Sequence, residues 1–131
     1  MEYMLMPIRR YADFQGRSRR KEYWMFVLFQ LIVLLVLGVL FAMFEGVSMV
    51  LAESILWLGV LAYLGLFLLP SIAVQVRRFH DQDKSGWFVL LGLVPYVGGL
   101  ILLFFMVQPG TPGPNRFGPD PLDESQASVF E

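Results

Sequence analysis

The sequence predicts an all-α integral membrane protein: a bundle of three transmembrane helices, a short N-terminal interfacial segment and an irregular Pro/Gly-rich C-terminal tail. Three observations predict it. Apolar stretches occupy residues 23–44, 54–76 and 87–107, and none has Asp, Glu, Lys, Arg or His in its interior. At about 1.5 Å of rise per residue, ~20 helical residues cross the ~30 Å hydrocarbon core of a bilayer, so each stretch is long enough. A hydrophobic content of 56% and a mean hydropathy of +0.61 exceed what a soluble core uses. Charge is also lopsided beneath a formal net charge of −1. Residues 1–22 hold Arg9, Arg10, Arg17, Arg19, Arg20 and Lys21, whereas from Pro109 onward Arg116 is the only cation.

Residues 1–22 read as a cytoplasmic leader. Met4, Ile8, Tyr11 and Phe14 recur at helical spacing, as in a helix lying on the headgroups; a flexible basic leader is the alternative. The first span opens on Tyr23-Trp24, at the depth where amphipathic rings settle. A signal peptide is disfavoured by the length of this run and the lack of a small-x-small cleavage site after Phe44. Gly38, Ala42 and Gly46 recur every four residues, a pattern that lets another helix approach closely. Gln30 is the strongly polar side chain of this span, suited to an interhelical hydrogen bond.

The loop near 45–53 carries Glu45 and Glu53 but no Lys or Arg, which places it on the translocated side. The second span contains Pro70, which removes a backbone donor and favours a kink. Arg77, Arg78 and Lys84 then return the chain to the positive, cytoplasmic side, with Asp83 or Ser85 available to cap the next helix. The third span is interrupted by Pro95-Tyr96-Val97-Gly98-Gly99. Its twenty-one residues suffice for one crossing, leaving the C-terminus outside. Two arms of eight residues folding back as a re-entrant hairpin are the alternative. Residues 1–121 form a single membrane domain, and 122–131 a disordered acidic tail.

Three polar clusters interrupt the apolar background: Gly16–Trp24, Arg77–Trp87 and Asn115–Pro121. Arginine suits bidentate pairing with phosphate, so Arg17, Arg19 and Arg20 could meet lipid headgroups, or merely set topology. Glu22 lies one turn from Arg19. His80 and Asp81 offer a general base or a cation ligand, but a lone histidine makes a poor metal site and neighbours on a helix point ~100° apart. The plainer reading pairs Arg77 and Arg78 with Asp81 and Asp83. No phosphate loop, dinucleotide fingerprint or hydrolase motif occurs, and the basic segment is too small for nucleic acid. With no cysteine, disulfides and thiolate chemistry are excluded.

In order, GRxRRxEYW, RRxHDxxxSGW and PGTxGxNRFGPDP resemble the YhaH/YhaI-like family of small bacterial inner-membrane proteins, a domain of unknown function. The residues carrying the resemblance are Gly16, Arg17, Arg19, Arg20, Glu22, Tyr23 and Trp24, then Arg77, Arg78, His80, Asp81, Ser85, Gly86 and Trp87, then Asn115 through Pro121. It implies a multi-pass protein of the bacterial inner membrane. A signature built on Glu22, His80, Asp81 and Asn115 further implies a polar network at the cytoplasmic interface. Its candidate members are Arg17, Arg19, Arg20, Glu22, Trp24, Arg77, Arg78, His80, Asp81, Ser85 and Trp87. Asn115, Arg116, Gly118 and Asp120 form a C-terminal motif.

The expected function is non-enzymatic: a structural or accessory subunit with a cytoplasmic N-terminus, without cofactor or metal. It would associate with copies of itself or with a membrane-protein partner through Gly38, Ala42 and Gly46. A subunit of an oligomeric transporter or channel is one alternative, although the spans carry no charge. A binder of anionic lipid headgroups is another.

Overall fold

The computed structural model describes residues 2–122, so the expected acidic tail lies, beyond Leu122, outside the described residues. Four α-helices occur: α1 (Glu2–Arg9), α2 (Arg20–Glu45), α3 (Met49–Asp81) and α4 (Gly98–Val107), with a 3-10 helix at Gly86–Leu93 between the last two. Among the described residues the only β pairing is an isolated bridge between Asn115 and Gly118.

Helices α2 and α3 are long and apolar enough to cross a membrane, and little of either apolar stretch is buried inside the molecule. A core helix of a soluble protein hides its apolar residues; these two leave Leu35, Trp57, Leu58 and Leu61 more than 60% exposed, a surface suited to lipid. Ser48 caps α3 by accepting from the Leu51 N–H at 3.4 Å. The helix continues through Pro70.

The two helices meet along an aromatic seam. Phe26 and Phe67 are buried, with ring centroids 5.8 Å apart, and Tyr63 and Phe29 pack on Phe67 at 4.9 and 5.6 Å. Gln30 Oε1 accepts from Tyr63 Oη at 2.7 Å and from Ser71 Oγ at 3.3 Å, forming the interhelical bond anticipated for it. Close approach is permitted by Gly59 of α3, where a Cβ would fall 2.3 Å from Leu37 Cδ1. Gly38, Ala42 and Gly46 do not pack within this chain. All three are exposed, and a Cβ on either glycine would meet nothing within 4 Å.

The third apolar stretch departs from the single crossing expected of residues 87–107. Its eight-residue 3-10 arm extends about 16 Å at ~2.0 Å per residue, and the ten residues of α4 extend about 15 Å. Each reaches half the depth of a ~30 Å hydrocarbon core, and they fold against each other. Phe88 at the start of the first arm and Phe105 at the end of the second both pack on Phe79 of α3, at 5.8 and 5.6 Å. Gly92 and Gly98 allow the arms to pass closely: a Cβ at Gly98 would sit 2.3 Å from the Gly92 oxygen. Proline at 95 and left-handed Tyr96 (φ 68°) make the reversal. The chain enters and leaves this hairpin at the same end of α3.

Helix α1 stops at Arg9, so Tyr11 and Phe14 fall outside its stripe. Pro7 is buried, Ile8 touches the aromatic core, and Tyr11 Oη donates to the Gly65 carbonyl of α3.

Candidate functional site

Helix α3 runs five residues past its apolar stretch, carrying Arg77, Arg78, His80 and Asp81 to the point where the hairpin, the connector before α2 and the tail converge. Five charged side chains are buried there: Arg77 and Arg78 are 0% exposed, Glu22 2%, Asp81 4% and Arg17 7%. Buried charges persist only when paired and hydrogen-bonded, and the pairing here is specific.

Asp81 lies between two guanidiniums. Its Oδ1 accepts from Arg17 Nε at 3.0 Å and its Oδ2 from Arg78 Nη1 at 2.7 Å. Glu22 receives Arg77 Nη2 at 3.0 Å, reaching across 55 positions rather than to Arg19 on its own helix. Ser18 and Arg77 bond reciprocally: the Ser18 N–H donates to the Arg77 carbonyl at 3.1 Å, and Ser18 Oγ accepts from Arg77 Nε at 2.7 Å.

Three arginines against two carboxylates leave one surplus positive charge, which faces backbone carbonyls. Arg17 donates to the carbonyls of Thr111 and Gly113, both at 2.7 Å. Arg78 donates to those of Gln108 at 2.7 Å and Met106 at 3.3 Å. Gln82 reaches the Phe105 carbonyl and Arg20 that of Val107 at 3.2 Å. Four consecutive carbonyls at the C-terminal end of α4, where the helix dipole is negative, therefore receive side-chain donors, three from arginine; of the four, that of Phe105 also accepts from the Gln108 N–H at 3.3 Å.

The tail closes the cluster. Thr111 N–H donates to the Asp81 carbonyl at 2.7 Å, and Asn115 Nδ2 to the His80 carbonyl at 2.9 Å. Asp120 accepts from the Gly113 and Leu122 N–H groups, both at 2.9 Å. Gly118 (φ 138°) pairs with Asn115, and its carbonyl accepts from Arg17 at 3.4 Å.

Other residues singled out by sequence stand apart from the buried charges. Arg19 donates to Tyr3 Oη at 3.1 Å, and Lys21 lies over the same ring. Arg116 pairs with Asp83 at 3.2 Å on the surface, so Asp83 does not join Arg77 or Arg78. Trp24 packs edge-on against Tyr23 at 5.2 Å. Ser85 caps the 3-10 helix at the Trp87 N–H, and Trp87 is 77% exposed. Asp13, not singled out by sequence, pairs its carboxylate with Arg10 at the surface while its carbonyl accepts from Arg77. Its slight burial would raise the carboxyl, but Arg10, the Gln15 N–H and Arg77 outweigh this and hold it below the usual carboxylate range. Sequence reasoning missed Ser18, Gln82, Gly110 and Thr111, although Gly110 and Thr111 stood inside the quoted C-terminal motif.

Comparison with known proteins covers nearly the whole chain. The family model described as "Protein of unknown function (DUF805)" matches residues 11–119. Inner membrane protein YhaH of Escherichia coli (strain K12) is 49% identical over 123 residues, covering 92% of this chain and 97% of that protein. Inner membrane protein YhaI of the same strain is 41% identical over 121 residues, covering 92% and 96%. Uncharacterized protein YiiR, also from that strain, is 26% identical over 137 residues, covering 85% and 87%. No solved structure matches.

Proposed function

The chain belongs to the DUF805 family, and from that premise we propose a non-enzymatic accessory subunit of the bacterial inner membrane, with both the N-terminus and the tail in the cytoplasm. Two helices cross, the hairpin re-enters from the cytoplasmic side, and the buried arginine–carboxylate cluster holds their ends together. The relatives named as inner membrane proteins and the two long apolar helices support the location. Positive charge supports the orientation: every Lys and Arg lies in residues 9–21, 77–84 or at 116, while the connection between α2 and α3 has only Glu45 and Glu53 nearby.

The observation that carries the functional reading is the internal use of the buried charges. Arg17, Arg77 and Arg78 face this chain's own carboxylates and carbonyls, which suits fixing a shape rather than turning over a substrate. Binding then falls to the bilayer-facing sides, among them the uncovered stretch at Gly38, Ala42 and Gly46.

Two measurements test this. Paired reporters active only in the cytoplasm or only in the periplasm, fused after Pro121, should report a cytoplasmic tail; a periplasmic tail overturns the orientation. A photocrosslinking amino acid at Ala42 should capture a protein adduct in the native membrane, shifted by the mass of the partner or of a second copy. Lipid adducts alone at this position would overturn the accessory reading.

A further inference from the structure

We infer that a cleft beside His80 binds the free hydroxyl of a membrane-borne amphiphile of the diacylglycerol type. The cleft, about 460 Å³, lies where the end of α3, the start of the 3-10 helix and the tail meet. Its apolar walls include Phe14, Val76, Trp87, Leu90 and Phe117, and its polar side chains are His80 and Ser85. Few polar groups convergent on an apolar cleft is the usual composition of a small-molecule site.

His80 is 9% exposed and stacks on Phe117 with centroids 4.0 Å apart and planes 4° from parallel. Its Nδ1 lies 2.9 Å from the Gly16 carbonyl, which can only accept, so Nδ1 carries the hydrogen. Among the described residues no carboxylate pairs with the ring, and in the neutral imidazole no group there bonds the Nε2 lone pair. Gly86 keeps that nitrogen open: a Cβ there would stand 3.4 Å from Nε2 and 2.7 Å from Val76 Cγ1. Ser85 Oγ already accepts from the Trp87 N–H, which leaves its hydroxyl hydrogen to donate.

One acceptor and one donor on the wall of the same cleft are the complement of a hydroxyl. A phosphodiester, a carboxylate or a ketone can satisfy Ser85 but offers no hydrogen to the neutral Nε2, and a nitrogen covered by the ligand and left unmatched opposes binding. The source follows from the mouth of the cleft. Trp87 is 77% and Leu90 50% exposed, at the start of the apolar hairpin, so a ligand enters past hydrocarbon-facing side chains. The cleft accommodates the glycerol end while acyl chains remain in the bilayer. This assignment is independent of the accessory-subunit reading and could fail or hold without it.

His80 is the chain's only histidine, so ¹⁵N-histidine labelling gives a single imidazole to observe. The full-length protein in detergent micelles would be titrated with dioctanoylglycerol, its 3-acetyl ester, and glycerol. Dioctanoylglycerol should move the Nε2 resonance in a saturable manner. The acetyl ester, lacking the donor, should bind about tenfold more weakly, and glycerol should have no effect at the same concentrations. Leu90→Trp, which fills the mouth without touching the buried charges, should abolish the response at an unchanged unfolding midpoint. Equal binding of the acetyl ester would overturn hydroxyl recognition, and an equal response to glycerol would overturn the membrane source. A response that survives Leu90→Trp, or no response to dioctanoylglycerol, would remove the site.

Discussion

Replacing Asp81 with asparagine should destabilise the protein by about 3–5 kcal/mol, the cost of leaving a buried charge without its partner. The carboxylate is the counter-charge of both Arg17 and Arg78, themselves 7% and 0% exposed. Asparagine keeps the volume but presents an amide that can face one guanidinium with its oxygen and must turn an N–H toward the other. Unfolding of the full-length protein in mixed detergent micelles, followed by circular dichroism, measures the loss. Two comparisons make the expected result specific. Glu22→Gln should cost less, because Glu22 answers only Arg77. Asp13→Asn should cost under about 1 kcal/mol, since the Arg10–Asp13 pair has side chains 31% and 40% exposed. Equal costs at positions 13 and 81 would mean that the cluster contributes nothing beyond ordinary surface pairing.

Gly110→Ala should have the second largest effect, about 3 kcal/mol, from a single methyl group. A Cβ at this position would fall 2.1 Å from Asp81 Oδ2 and 2.4 Å from its Cγ. Overpacking ordinarily costs about 1–3 kcal/mol, and the upper end is expected because neither side can yield cheaply. The carboxylate is held by two guanidiniums, and the backbone is held by the neighbouring Thr111 N–H on the Asp81 carbonyl. Gly99→Ala in α4 is the control: its Cβ would meet nothing within 4 Å, and alanine favours the helix. The same micellar unfolding should show the two glycines responding in opposite directions. Indifference at Gly110 would mean that the tail does not rest on Asp81.

The parts of this architecture legible in the sequence are those governed by local pattern. Uninterrupted apolar runs longer than a bilayer marked α2 and α3, and the positions of Lys and Arg divided the chain into a basic end and an acidic connection. Hydrophobicity reports contact with hydrocarbon but not direction, so residues 87–107 read as one crossing, with two half-crossings as the alternative. The break at Pro95–Gly99 was visible, yet its meaning depended on both arms meeting Phe79, a contact no spacing rule contains. Glu22 shows the same limit. Periodicity offers only neighbours three or four residues away, and pointed to Arg19, whereas the partner came from 55 positions downstream. Small residues every four positions drew attention to Gly38, Ala42 and Gly46, while the α2–α3 contact uses the isolated Gly59. Gly110 carried a signal for a turn and none for the carboxylate beneath it.

The tail's bonds to His80 and Asp81 have a consequence for how the protein is made. Synthesis proceeds from the N-terminus, and the last contributors to the cluster among the described residues are Thr111, Gly113, Asn115 and Gly118. Both long helices and the hairpin have therefore been synthesised before Arg17 and Arg78 acquire the carbonyls that complete their coordination. A chain broken off ahead of Gln108 keeps every apolar segment needed for insertion, yet it leaves arginines at the membrane surface with unmet donors. Segment 108–118 thus distinguishes a completed cluster of buried charges from an incomplete one.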